Sequence, residues 1–334
     1  MRQRFFTLLA ILAVSFQCAL AQRLNVIFET DMGNDVDDAL AIDMLYKYHR
    51  SKKIDLMAIM LNKEGQYPPR FIDLLNRWYG CKRIPIGVTT RKKNSTMSHV
   101  QNFTEVVCKM KDEKGRPLYK QLPEGTENWQ DAVMLHRKLL AKAEDNSVTI
   151  ISVGFSNNLS ALLESQSDGF SPLSGKDLVA KKVDRLVVMA GHMENPNYRE
   201  FNVHHDIPAC QKVYNEWPTP IYTSPFELGE HILYPARSIS EDFGWTKHHP
   251  IVDAYKCYLP NMEDRPTWDL TAVLYAIDPG QMFSLSPAGR IHVSDLGCTT
   301  FKADATGNHY YLYTSPEQKK QILDYFVNMI TKKP

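Results

Sequence analysis

The chain reads as a single α/β domain whose mostly parallel sheet, a Rossmann-like core, is flanked by helices. Three observations predict this. Short apolar runs of strand length recur from residue 26 to residue 223, with helix-period segments between them. No linker, repeat or low-complexity stretch divides the chain. The densest group of acidic residues, Glu29, Asp31, Asp35, Asp37 and Asp38, directly follows the first buried run, where doubly wound sheets place their ligands.

Residues 1–21 are set aside as an export signal. Arg2 and Arg4 precede the apolar FFTLLAILAVSF, and Ala19-Leu20-Ala21 is a small-x-small cleavage site before Gln22. This places the mature domain at 22–334, exported to a periplasmic or extracellular compartment. No later apolar run has the length to cross a membrane. Lys and Arg number 39 and Asp and Glu 38, so no basic excess points to nucleic acid or an anionic membrane surface. Cys81, Cys108, Cys210, Cys257 and Cys298 follow the signal without any CxxC spacing, which argues against a zinc knuckle or redox motif.

Val26-Ile27-Phe28 opens the domain as a buried strand, and Asp38 to about Arg50 follows as a helix. Ile54–Leu61 is the second strand, 71–79 a helix, and 84–88 a short third strand. Residues 91–128 are polar and rich in turn formers and read as a surface excursion. A helix over 131–142 precedes a strand at 148–153, and a helix over 158–166 precedes a strand at 185–190. Then come a helix over 208–216, a strand over 220–223 and a helix over 269–277. Strands at 291–293 and 309–313 and a helix over 316–331 complete the chain. All of these follow from apolar period and bounding Gly, Pro and Asn.

The acidic stretch TDMGNDVDDALA carries the chemistry. Five carboxylates within ten residues repel one another, and a hard cation with oxygen ligands relieves that repulsion. Ca²⁺ suits a flexible carboxylate loop, with Mg²⁺ as the stricter rival. Helix capping by Asp accounts for one or two of these residues, not for five. Four further strand ends add candidates. Asn62 ends the second strand, where an amide can bind a ligand hydroxyl or make a turn. Gly154 follows Val153 and permits close backbone approach. Met189 ends a strand that leads to Glu200 and Asn202, which face one side together if that segment is extended. His204 and His205 would then face opposite ways, which favours a supporting role over metal ligation. Trp268-Asp269 opens a helix and offers a carboxylate beside a stacking surface.

These stretches, in this order, resemble the inosine–uridine-preferring nucleoside hydrolase family. The likeness lies in TDMGNDVDDALA, VGFSNNLSALL, VVMAGHMENPNYREFNVHHD and TWDLTAVLYAIDP, spread over nearly all of the mature chain. The resemblance implies a nucleoside hydrolase-like fold and Ca²⁺-dependent hydrolysis of N-ribosides or related glycosides to sugar and base. It implies that Asp31, Asp38, Asp269 and the Val153 carbonyl hold the ion, and that Asp31 also takes the proton of the attacking water. Asp35 or Asp37, Asn62, Met189, Glu200, Asn202 and Trp268 then bind substrate. The partner is a small-molecule nucleoside or glycoside, and a homo-oligomer is implied by the family's habit. Three departures stand out. Glu29 and Met32 replace the family's first Asp and its Pro, and two extra residues separate Gly33 from the final Asp pair. Trp268 stands where many members have an acid His. GVTTRKKN stands where a His-bearing segment is expected. A Ca²⁺-dependent binding protein without turnover, or a purely structural Ca²⁺ site, are the alternatives.

Overall fold

A computed structural model of the chain describes residues 23–91, 102–123 and 125–334. The export signal expected at 1–21 lies outside the described residues. In chain order the strands are β1 (Leu24–Thr30), β2 (Ile54–Leu61), β3 (Ile86–Val88), β4 (Gln130–Asp131), β5 (Val148–Ser152), β6 (Val183–Met189) and β7 (Ile221–Ser224). They continue as β8 (Leu233–Tyr234), β9 (Arg265–Pro266), β10 (Ser284–Leu285), β11 (Gly289–Val293), β12 (Thr299–Ala303) and β13 (His309–Tyr313).

An 11-stranded sheet runs in the order β12-β11-β13-β7-β6-β5-β1-β2-β3-β4, with β10 beside β13. From β4 to β13 every pairing is parallel, and the β11–β12 edge is antiparallel. Both faces of β1 are buried, as its near-continuous apolar run requires. Val26 and Phe28 join one core, and Ile27 joins the other. The order reverses between β1 and β5, because the chain first builds outward through β2 and β3 and then returns to the far side of β1. Parallel register sets Thr30 level with Leu61, Glu29 with Ser152, and Ser152 with Val188. The residues that follow these strands therefore emerge together at the switch point.

The mostly parallel, helix-flanked domain is as expected, and Ile54–Leu61 and Pro316–Thr331 carry the expected bounds. Several local expectations change. The 91–128 excursion contains a helix, Phe103–Lys109, whose Phe103 and Val107 are buried, so it packs on the core instead of lying free on the surface. Helices at Gly175–Lys182 and Pro250–Tyr258 were not expected. The 200–205 segment is not extended: Phe201–His205 is a helical turn capped by Glu200. Adjacent His204 and His205 thus diverge around a helix, and His205 Nδ1 bonds the Phe201 carbonyl.

Glu29, the departure from the family loop, lies wholly buried under the switch point. Its carboxylate accepts from His136 Nε2 at 2.5 Å and from Asn158 Nδ2 at 2.9 Å. This ties β1 to two crossover helices, Ala132–Lys142 and Asn157–Glu164. Glu29→Ala leaves buried His136 Nε2 without its partner and leaves Asn158 Nδ2 only the Leu61 carbonyl, at 3.2 Å. We expect it to cost about 3 kcal/mol of unfolding free energy in urea titration at neutral pH.

Candidate metal and sugar site

Beyond the carboxyl ends of β1, β5 and β6 opens a cavity of about 280 Å³. Asp31, Asp35, Asp37, Asp38, Val153, Met189, Glu200, Asn202, Trp268 and Asp269 all line it, with Asn34, Phe201, Phe226, Tyr258 and Arg265. Every site residue expected from sequence is therefore gathered here except Asn62. That residue is buried behind the wall, with neither its Oδ1 nor its Nδ2 bonded among the described residues.

Two helix N-termini meet at the floor. Asp37 and Asp38 occupy the first turn of Asp37–Arg50, and Asp269 that of Trp268–Ile277. The Asp269 backbone N–H donates to Asp37 Oδ2 at 3.1 Å. Asp37, Asp38 and Asp269 each offer an oxygen, all within 4.8 Å of one another. This group includes Asp37, which the resemblance offered with Asp35 as alternatives for the sugar, and Asp31 lines the same cavity. Thr30 Oγ1 donates to Asp38 Oδ1, and Asn34 Nδ2 to Asp31 Oδ2 at 2.5 Å.

Burial and mutual repulsion push the carboxyls of Asp37, Asp38 and Asp269 well above the ordinary range. Burial raises Asp31 to about 6 and Glu200 to about 7. Six carboxylates line the cavity against one lining cation, Arg265, which is committed to Asp35, and Lys63 stands behind the lining with its Nζ on Asn34 Oδ1. A buried donor set made only of oxygens, short of positive charge, fits a hard divalent ion.

Gly154 lets the turn after β5 come this close. A Cβ there would meet the Asp31 backbone nitrogen at 2.6 Å and Asn62 Oδ1 at 2.7 Å. Glu200 is held by three backbone N–H donors, those of Gly191 and Asn202 at 3.0 Å and Val203 at 3.1 Å. Three of its four lone-pair positions are filled, leaving one toward the cavity. Asn202 Nδ2 donates to the carbonyls of Val153 and Met189 at 3.1 and 3.2 Å, which leaves its Oδ1 for a ligand.

Sequence reasoning did not identify Arg265, Tyr258, Phe226 or Thr30. Arg265 stands four residues before Asp269, and that spacing was the one available signal. His lines the cavity nowhere among the described residues. No helix among the described residues is long and apolar enough to cross a membrane. The five described cysteines are all free thiols.

Sheet and cavity together define a small-molecule enzyme of the doubly wound α/β class. The model of the inosine-uridine preferring nucleoside hydrolase family matches residues 26–320, and the chain belongs to that family of hydrolases acting on N-glycosyl compounds. A plant nucleoside hydrolase superposes with a TM-score of 0.71 at 17% identity, covering 93% of this chain and 100% of that one. The purine-preferring ribonucleoside hydrolase of Gardnerella vaginalis gives 0.68 at 15% identity over 92% and 98%. The type III effector XopQ, solved with adenosine diphosphate ribose, gives 0.64 at 12% identity over 93% and 95%. At these identities the likeness establishes the fold. No curated protein matches the chain.

The raised carboxyls fix the sign of a pH effect. A carboxyl whose folded pKa exceeds its unfolded value withdraws stability as pH climbs from about 4 toward the folded value. Here that window runs to about 6 for Asp31 and about 7 for Glu200. A bound divalent ion cancels the loss. The gap in melting temperature between ion-loaded and chelated protein should therefore widen as pH rises from about 5 to about 8, read by scanning fluorimetry. In Asp269→Asn the chelated protein should melt no lower than wild type, and the ion should raise its melting temperature far less.

Proposed function

We propose that the protein is an exported, Ca²⁺-dependent N-ribohydrolase that releases ribose and a free base from a nucleoside. One observation carries the reading: acids from both ends of the chain, Asp37, Asp38 and Asp269, converge beside Asp31, Glu200 and Asn202 in one cavity. Asp31, Asp37, Asp38, Asp269 and the Val153 carbonyl are the groups that would hold the ion. When bound there, Ca²⁺ would make water a better nucleophile and fix a sugar diol.

Asp31 takes the proton of the attacking water. Asn34 Nδ2, which donates to Asp31 Oδ2, fixes the direction of this carboxylate. Asn202 and Glu200 receive ribose hydroxyls through Oδ1 and the remaining lone pair. Positive charge grows on the sugar ring as the N-glycosidic bond lengthens. The surrounding carboxylates are already fixed by backbone N–H groups and helix ends, so they stabilise that charge without reorganising. Trp268, stacked on Phe226 with centroids 5.2 Å apart, offers the flat wall a base requires.

A second reading, a Ca²⁺-dependent nucleoside-binding protein without turnover, is favoured by the absence of histidine from the cavity lining among the described residues. A nucleoside panel assayed for reducing sugar separates the two. Sugar release should require Ca²⁺ and should fall by about 10³-fold or more in Asp31→Asn, as expected when a general base is removed from a preorganised site. Calorimetric binding with no sugar released from any nucleoside would establish the second reading instead.

A further inference from the structure

The short ribbon β8–β9 stands apart from the main sheet, and β9 delivers Arg265 to the aromatic end of the cavity. Its Nε donates to Asp35 Oδ1 at 3.0 Å and its Nη2 to Asp35 Oδ2. The guanidinium carbon lies 5.2 Å from the Trp268 ring centroid and 5.3 Å from that of Tyr258. Nη1 has no partner among the described residues. Asp35 reaches Arg265 from the stretch that carries the two extra residues, after a turn through Gly33 at φ +102°. The loop insertion and the arginine thus form one device: a fork-held cation of fixed direction beside a stacking wall.

We propose that Arg265 stabilises the departing base during N-glycoside cleavage, with Asp35 as its positioning residue. The inference rests on the hydrolase reading above. When the C1′–N bond breaks, its electron pair goes to the base nitrogen. An imidazolium would hand that nitrogen a proton. A guanidinium keeps its protons and meets the anion with its remaining N–H donors, its charge shared with Asp35. The water oxygen bonds to C1′ and Asp31 receives the water's proton. The base anion takes a proton from solvent after it leaves. Arg265 therefore matters most where the leaving group is poor.

The test compares the best nucleoside of a purine and pyrimidine panel with 4-nitrophenyl β-D-ribofuranoside, whose leaving group needs no help. Wild type, Arg265→Ala, Arg265→Lys and Tyr258→Phe are assayed with Ca²⁺. In Arg265→Ala, kcat/KM should fall about 10²-fold on the nucleoside and by less than about threefold on the nitrophenyl riboside, the usual scale for one lost transition-state donor. Arg265→Lys should recover part of the nucleoside rate, and millimolar guanidinium should recover part of it in Arg265→Ala. A retained Ca²⁺-induced melting shift certifies that the cavity is intact. Equal losses on both substrates, or a nucleoside-selective loss in Tyr258→Phe but not in Arg265→Ala, would overturn the assignment. Wild type that cleaves only the nitrophenyl riboside would overturn it too. Wild type that cleaves neither substrate would defeat the hydrolase reading itself.

Discussion

Repulsion among buried carboxylates is the constraint around which the molecule is arranged. Asp37 and Asp38 begin one helix and Asp269 begins another, and the two N-termini lie side by side at the cavity. Each helix end offsets negative charge by about 0.3–1 kcal/mol, somewhat more where partly buried. That is small beside the cost of holding several carboxylates out of water in one cavity. The helices must therefore be held in place by something else, and the sheet supplies it. The helix Asp37–Arg50 follows β1, and β1 sits at the centre of the sheet with neighbours on both sides. The helix Trp268–Ile277 buries Leu270, Ala272, Val273 and Leu274 in the same core as Phe28. Apolar packing thus holds together charges that would otherwise separate, and the strain is available to whatever cation relieves it.

The layer beneath the cavity shows why Glu29 replaces the shorter acid of the family loop. A glutamate spans from β1 to His136 on one crossover helix and Asn158 on another. It acts as a polar tie within an apolar layer, at a position removed from the cavity lining. Gly154 has a complementary role above it: without a side chain, the β5 turn closes against Asp31 and Asn62. One position is filled and the other left empty so that the strand ends stay level.

Much of this was legible in the sequence, for identifiable reasons. Strands buried on both faces read as unbroken apolar runs, so Ile54–Leu61 was found with its bounds. The long C-terminal helix was legible because Pro316 marks its start and an apolar helical period continues to Thr331. The acidic loop was conspicuous because solvation alone does not account for five acids in ten residues. Other features carried no local signal. Strand β9 has two residues, too few for any period, so nothing in the local pattern singles out Arg265. Glu200 and Asn202 are two apart, which fits a strand face, but Glu200 instead caps a helical turn and Asn202 lies inside it. Asn62 ends a strand, as a ligand-binding amide would, and its side chain lies against Gly154, outside the cavity lining.

The two ends of the cavity carry opposite character, and this matches the charge movement that N-glycoside cleavage demands. Bond breaking leaves the sugar electron-poor and the base electron-rich. One end presents Asp31, Asp37, Asp38, Glu200 and Asp269, which the proposed reading gives to the sugar, and the aromatic end presents Trp268, Phe226, Tyr258 and the Arg265–Asp35 pair. A field in that direction favours the separated charges over the neutral substrate, so its effect falls on the transition state. An imidazole acid would reach the same end by neutralising the base through proton transfer. A fixed guanidinium does so by leaving the charge in place and answering it. Asp35 makes that workable, because it orients the cation while two of the five N–H donors hold the fork, and it keeps Arg265 from swinging across to neutralise the carboxylates that the sugar needs.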